Sequence, residues 1–236
     1  MRNILISLVN KVATVYRGKD YKIDPKLPLS ALVGYSFRRF SALSRCLLRG
    51  VVFSFDFKKL VFLGSNVELT NRSMISFGKG VTIGKGVIID GLSVEGVIIG
   101  DGVSIGPYSI IKATGVLSDL GKGVEIGANS GFDAYTFIGA SGGVKIGQNV
   151  ICGQHVSFHS ENHIFDRVDI PIKLQGTTRQ GIIIEDDCWI GANVTFLDGA
   201  HIGRGSVVGA GAVVLGKMPT NSVIVGVPAR VVKNRV

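Results

Sequence analysis

Large apolar side chains recur along most of this chain at a spacing of six. In "FGKGVTIGKGVIID" they are Phe77, Ile83 and Ile89, and the step continues through Ile99, Ile105 and Ile111. It resumes at Ile126, Phe132 and Ile138, then at Ile146, Cys152 and Phe158, and again at Ile184, Ile190, Phe196, Ile202, Val208 and Val214. Four places after these lies a second series holding only small or β-branched residues and one cysteine: Val81, Val87, Val103, Ser109, Ser130, Thr136, Val150, Val156, Cys188, Val194, Ala200, Ser206 and Ala212. A period of six fits neither the 3.6 of a helix nor the 2 of an ordinary strand. It fits a short strand and a tight corner, with two inward positions per unit and glycine where the backbone turns. Three units close a triangular coil of about eighteen residues, and stacked coils pair their strands in parallel around one aliphatic core.

The rhythm fails once at length. After Phe158 the next inward residue is due near position 164, but the register returns only at Ile184. The stretch "HSENHIFDRVDIPIKLQGTTRQG", residues 159–181, therefore leaves the prism as a loop. It is rich in His, Asn, Asp, Arg, Gln and Thr rather than Gly and Ser, which predicts a binding loop rather than a passive linker.

Residues 1–60 lack the hexapeptide. Within them "RNILISLVNKVATVYR" and "LSALVGYSFRRFSALSRCLLR" predict two short amphipathic helices separated by the breaker "DPKLP". This segment holds twelve Lys or Arg against three Asp or Glu, a net +9 equal to that of the whole chain, so residues 61–236 are balanced. Two domains are expected: a basic helical extension, 1–60, and a β-helix, 61–236. The extension caps the first coil, as terminal repeats require, or contacts an anionic membrane face through Arg38, Arg39, Arg45 and Arg49. No run is apolar enough for a spanning helix, and the run from Ile4 is broken by Asn10 and Lys11, which argues against a signal peptide. Nucleic acid is not an expected partner, because no recognition motif or interleaved aromatic platform accompanies the charge. Three cysteines without metal-type spacing suit a reducing compartment, so a cytoplasmic protein is expected, with the inner membrane face as the variant that follows from membrane contact.

With its hexapeptides, its "NH" on a long loop and the coils "CWIGANV" and "GAGAVV" ahead of a terminal "GVPAR", the chain resembles the hexapeptide-repeat acyltransferases, in the branch of the galactoside, maltose and polysaccharide O-acetyltransferases. The resemblance implies an all-β, left-handed parallel β-helix, a hand that ordinary crossover rules would not favour. It implies a homotrimer and acetyl-CoA as acyl donor. His163, preceded by Asn162, falls in the place of the family's catalytic histidine, and the backbone amide of Ala192 in that of the oxyanion donor. An imidazole suits the task because a sugar hydroxyl is too weakly acidic to attack a thioester unaided at neutral pH, and a fixed amide stabilises the oxyanion without reorganising.

By the same resemblance Asp133 stands where the galactoside branch has an acceptor-binding Asn, a change of residue type. Trp189, Ala192 and Ala210 line the implied coenzyme groove, and Arg230 and Lys233 suit its phosphates. The expected reaction is acetyl transfer to a sugar hydroxyl of a surface polysaccharide or its precursor, with an amino-sugar or amino-acid N-acceptor as one alternative. A γ-class carbonic anhydrase, a zinc enzyme on this fold, is the other. His155, His159 and His163 step by four and send their side chains to different faces, so no metal is expected.

Overall fold

The computed structural model describes residues 6–7, 9–10, 22–24, 26–50 and 60–235. Its body is a triangular parallel β-helix. Strands of two to four residues stack coil on coil into three faces. The first face runs from Phe62–Leu63 through Thr82–Ile83, Ser104–Ile105, Gly131–Phe132, Ile151–Cys152, Trp189–Ile190 and Val207–Val208 to Ser222–Val225. The second runs from Glu68–Thr70 to Val213–Val214, and the third from Ile75–Phe77 to Lys217–Met218. Each strand of a coil pairs in parallel with its equivalents in the coils before and after, as Phe132 does with Ile105 and Cys152.

Both six-residue series point inward. Every member is buried except Phe77, which packs half-buried against the end of the core. Phe158 and Phe196, in successive coils, stack at 4.9 Å and 19°. Cys152 and Cys188 are core residues and unpaired. The repeat starts one coil earlier than its clearest signal, at Leu63 and Val67, both fully buried.

In this stack successive coils bond in both directions, as Phe62 N does to Val81 O at 2.8 Å and Gly86 N to Ser65 O at 2.9 Å. The first-coil groups that face away from the second coil have no coil to pair with, the problem of any exposed sheet edge. Helix α1, Leu29–Leu48, covers that end. It starts at Pro28, whose fixed φ suits a helix entry, and it buries Leu32, Ala42 and Cys46. Its arginines supply the missing donors: Arg45 Nε to Leu63 O at 2.9 Å and Arg49 Nη1 to Val67 O at 2.5 Å. Arg39 donates to Thr82 Oγ1 at 2.8 Å and lies over the Phe62 ring at 4.5 Å. Three of the four arginines named for a membrane contact thus grip the prism, while Arg38 is exposed. The other predicted helix, 2–17, lies outside the described residues apart from four helical positions, Ile6, Ser7, Val9 and Asn10. No helix among the described residues is long and apolar enough to cross a membrane.

At the opposite end the "GVPAR" segment folds back. Arg230–Asn234 pairs antiparallel with Ser222–Val225 after a cis Val227–Pro228 bond, and Ala229, fully buried, closes the last coil.

Candidate active site

Departures from the repeat gather at one edge of the prism, where the second face turns into the third. Segments 71–74, 91–96, 113–123 and 160–181 all leave there. They are stitched by Val94 N to Gly121 O at 2.9 Å, Lys122 N to Ser141 O at 2.9 Å and Gly142 N to Ser160 Oγ at 3.0 Å. The last and longest carries a small antiparallel hairpin, Asn162–His163 against Thr177–Thr178. Asn162 and His163 are both exposed, and the His163 imidazole has no hydrogen-bond partner among the described residues.

The loop is fixed at both ends. Asp198, only 7% exposed, accepts from the amides of Gln180 (2.9 Å) and Gly181 (2.8 Å) where the chain re-enters the coil. Arg179 donates from Nε to Glu161 at 2.6 Å and makes a bidentate pair with Asp119 of the 113–123 excursion, both contacts 2.8 Å. Farther out, Gln175 donates to Arg167 O and Ile170 O and accepts from Arg167 N. A loop with this many internal partners presents its histidine on a frame rather than on a free strand of chain.

The remaining candidates lie along the edge where the first face turns into the second. Asp133 stands in a column otherwise filled by Gly64, Gly84, Gly106, Gly153, Gly191 and Gly209. Glycine dominates that column because coils touch there: a Cβ on Gly191 would lie 2.5 Å from Ala210 N, and one on Gly106 2.4 Å from the Asp133 carbonyl carbon. Asp133 is exposed and caps its own corner, accepting from Ala134 N at 2.7 Å. The corresponding amides of Ala192 and Ala210 have no acceptor among the described residues. At the edge between the third and first faces the equivalent amides of Lys79, Gln148 and Arg204 are capped by Asp101, Asp186 and Glu185. Gln154 N, in the coil before Ala192, is likewise without an acceptor among the described residues, so open amides run along this edge.

Trp189 lies outward on the first face, 58% exposed, beside Ile151 and Val207. Arg230 and Lys233 are exposed on the terminal strand of the same face, close to the coil of Ala210. Trp189, Ala192, Ala210, Arg230 and Lys233 thus share one end of one face and edge. Asp133 is on that edge two coils before Ala192 and three before Ala210, and His163 leaves from the edge across the second face. The histidines separate: His155 occupies the first edge, His159 the outer surface of the second face, and His201 the third face, bonded to Glu185 at 2.8 Å. Among the described residues no three His, Cys, Asp or Glu converge on one point.

The Arg179 and Asp198 clamp and the excursions at 91–96 and 113–123 were not anticipated from sequence. The only trace of the excursions there is the long step from Ile89 to Ile99 and from Ile111 to Ile126.

The chain is similar to known proteins in sequence and fold. Residues 181–216 match the family description "Bacterial transferase hexapeptide (six repeats)". A protein of Mycobacterium tuberculosis named as a probable acetyltransferase is 35% identical over 75% of this chain, and the match spans 55% of that relative's length. An Escherichia coli protein named for O-acetyl transfer in lipopolysaccharide biosynthesis is 31% identical over 70% of this chain and 74% of its own. Among solved structures, a point mutant of the N-acyltransferase AntD of Bacillus cereus, with dTDP-4-amino-4,6-dideoxyglucose and coenzyme A, superposes with a TM-score of 0.51 at 21% identity, covering 82% of this chain and 89% of that chain, a likeness of fold. With this coverage of the E. coli relative, the chain belongs to the hexapeptide-repeat transferase family, a left-handed parallel β-helix whose named relatives include acetyltransferases.

Proposed function

We infer that this protein transfers an acetyl group from acetyl-CoA to a sugar hydroxyl, with His163 as general base. The observation that carries the reading is the clamped hairpin, which holds an exposed, unpartnered imidazole away from the regular coils. His163 takes the hydroxyl proton as the oxygen attacks the thioester carbonyl carbon. The amide of Ala192 donates to the resulting oxyanion, and collapse breaks the carbon–sulfur bond. The imidazolium returns its proton to the departing thiolate, so the histidine ends as it began. Asn162, its neighbour in the hairpin, steadies the histidine, and Asp133 receives acceptor hydroxyls.

The donor fits the end of the prism that carries Ala192 and Ala210. Two free amides, two small side chains, the exposed Trp189 and the cations Arg230 and Lys233 offer what a pantetheine arm and nucleotide phosphates require. Acetyl-CoA brings the activated acyl group. Oxygen rather than nitrogen as acceptor is supported by the E. coli relative's name. An N-acetyltransferase of Clostridium perfringens acting on 2,3,4,5-tetrahydropyridine-2,6-dicarboxylate is 46% identical, but over only 26% of this chain.

His163 and the Asp133–Ala192–Ala210 edge lie on opposite sides of the second face, so one chain does not close the site alone. A homotrimer in which the loop of one copy meets the first edge of the next supplies both walls. The grip of α1 on the first coil favours the capping role for the extension over membrane contact.

Thiol release from acetyl-CoA, measured against a panel of sugars, amino sugars and lipid-linked oligosaccharides, tests the reading. Acceptor-dependent release with hydroxyl acceptors is expected. Release only with free amines, or none with any acceptor, would overturn it.

A further inference from the structure

Each coil places one residue at every regular corner in the left-handed backbone region, which bulky side chains avoid. Between the third and first faces these positions hold Gly80, Gly102, Asn129, Asn149, Asp187, Gly205 and Asn221, the residue types that tolerate it. The first edge begins and ends the same way, with Asn66, Gly86, Asn193 and Gly211. In the three coils between stand Tyr108, Tyr135 and His155, at φ 59°, 62° and 57°. Strained positions of this kind persist where something offsets them, and they gather at functional sites.

The three rings form a ladder. Tyr108 and Tyr135 stack at 5.6 Å and 14°, Tyr135 and His155 at 4.8 Å and 6°, and Lys85 Nζ approaches the far side of Tyr108 at 5.8 Å. Because the rings use their faces on one another, the ladder offers no slot for a planar base. It offers edges. Tyr108 and Tyr135 are about half exposed, and no described residue bonds their hydroxyls or the His155 ring nitrogens. The rings follow one another at 5.6 and 4.8 Å, near the strand spacing and close to the length of one sugar ring in an extended glycan. The ladder also runs beside Asp133, two residues before Tyr135, and stops at the coil of Ala192.

We propose that this edge is a glycan-binding ridge, on which Tyr108, Tyr135 and His155 hold successive sugar units of an oligosaccharide acceptor leading to Asp133. The proposal deepens the acetyltransferase reading by assigning the acceptor as a chain rather than a single sugar. A ladder serving stability alone would need no polar tips and would not be confined to the edge that carries Asp133.

The test replaces Tyr108, Tyr135 and His155 together by Asn, the residue that neighbouring coils use in the same conformation, so the backbone is relieved rather than disturbed. Binding of cello-, galacto- and chito-oligosaccharides and of the matching monosaccharides is followed by calorimetry and by ligand-observed NMR, alongside thiol release and thermal unfolding. Wild type is expected to bind at least one tri- or tetrasaccharide more tightly than its monosaccharide. The triple variant should lose about tenfold of that affinity, as several lost hydrogen bonds imply, with monosaccharide and acetyl-CoA binding unchanged and thermal stability retained. Equal affinity of wild type for long and short sugars would overturn the proposal, as would a loss that tracks falling stability. Binding is read without turnover, so wild type that binds the chain but releases no thiol contradicts the acetyltransferase reading and leaves the ridge standing.

Discussion

At the scale of single residues, His163 is the one imidazole of the chain carried on the clamped loop. His163→Ala should lower turnover by about a hundredfold to ten-thousandfold, the usual worth of a general base, while coenzyme A affinity measured by calorimetry barely changes. His201→Ala serves as the comparison, because that side chain is engaged by Glu185 on the third face and should keep most of the activity. If His163→Ala retains activity, or loses coenzyme binding in proportion, His163 is not the base. The cysteines give a second prediction at this scale. Burial pushes the thiols of Cys46, Cys152 and Cys188 above their ordinary value, and thiols held protonated in an apolar core are poor nucleophiles. A chromogenic disulfide reagent should label none of them in the folded protein and all three after unfolding. Rapid labelling of the native state would contradict the packing described.

At the scale of elements, the 160–181 loop shows what the repeat does not encode. Arg179 and Asp198 hold it from both sides, so their effect on catalysis should pass through His163. Arg179→Met is expected to lower kcat by about ten- to a hundredfold, the scale of an ångström-level misplacement of a catalytic group, with acetyl-CoA KM nearly constant. In a His163→Ala background the same change should cost nothing further. An additive loss would mean that Arg179 acts on overall stability instead. That the loop exists was legible, because the six-residue step simply stops at Phe158. Its clamp was not, since Arg179 meets partners 18 and 60 residues away, and nothing local in the sequence marks such pairs.

At the scale of the whole molecule, the residues assigned to the proposed reaction stand on two edges of the prism, which would make assembly a functional matter. The protein should sediment as a trimer at micromolar concentration. Mixed assemblies of inactive His163→Ala and Asp133→Ala chains should recover activity that neither shows alone, because some interfaces then receive an intact loop and an intact edge. No recovery after co-refolding would mean that each chain completes its own site. Deleting residues 1–60 should leave first-coil carbonyls such as Leu63 O and Val67 O without donors and reduce solubility. A truncated protein that stays soluble but no longer binds anionic vesicles would instead restore the membrane reading.

The sequence by itself determined the coil: both inward series, the triangular cross-section and the core positions of Cys152 and Cys188. The reason is that a repeat defines each residue's direction from its place in six, without reference to distant residues. It also marked where that rule stops, at residue 60 and at Phe158. Tertiary structure alone decided which distant coils and loops meet. It turned three arginines of α1 onto first-coil carbonyls and collected the excursions at one edge. It also left the amides of Ala192 and Ala210 free and aligned Tyr108, Tyr135 and His155 into one stack. Those contacts join residues from different coils or loops, and stacking the coils is what brings them within reach.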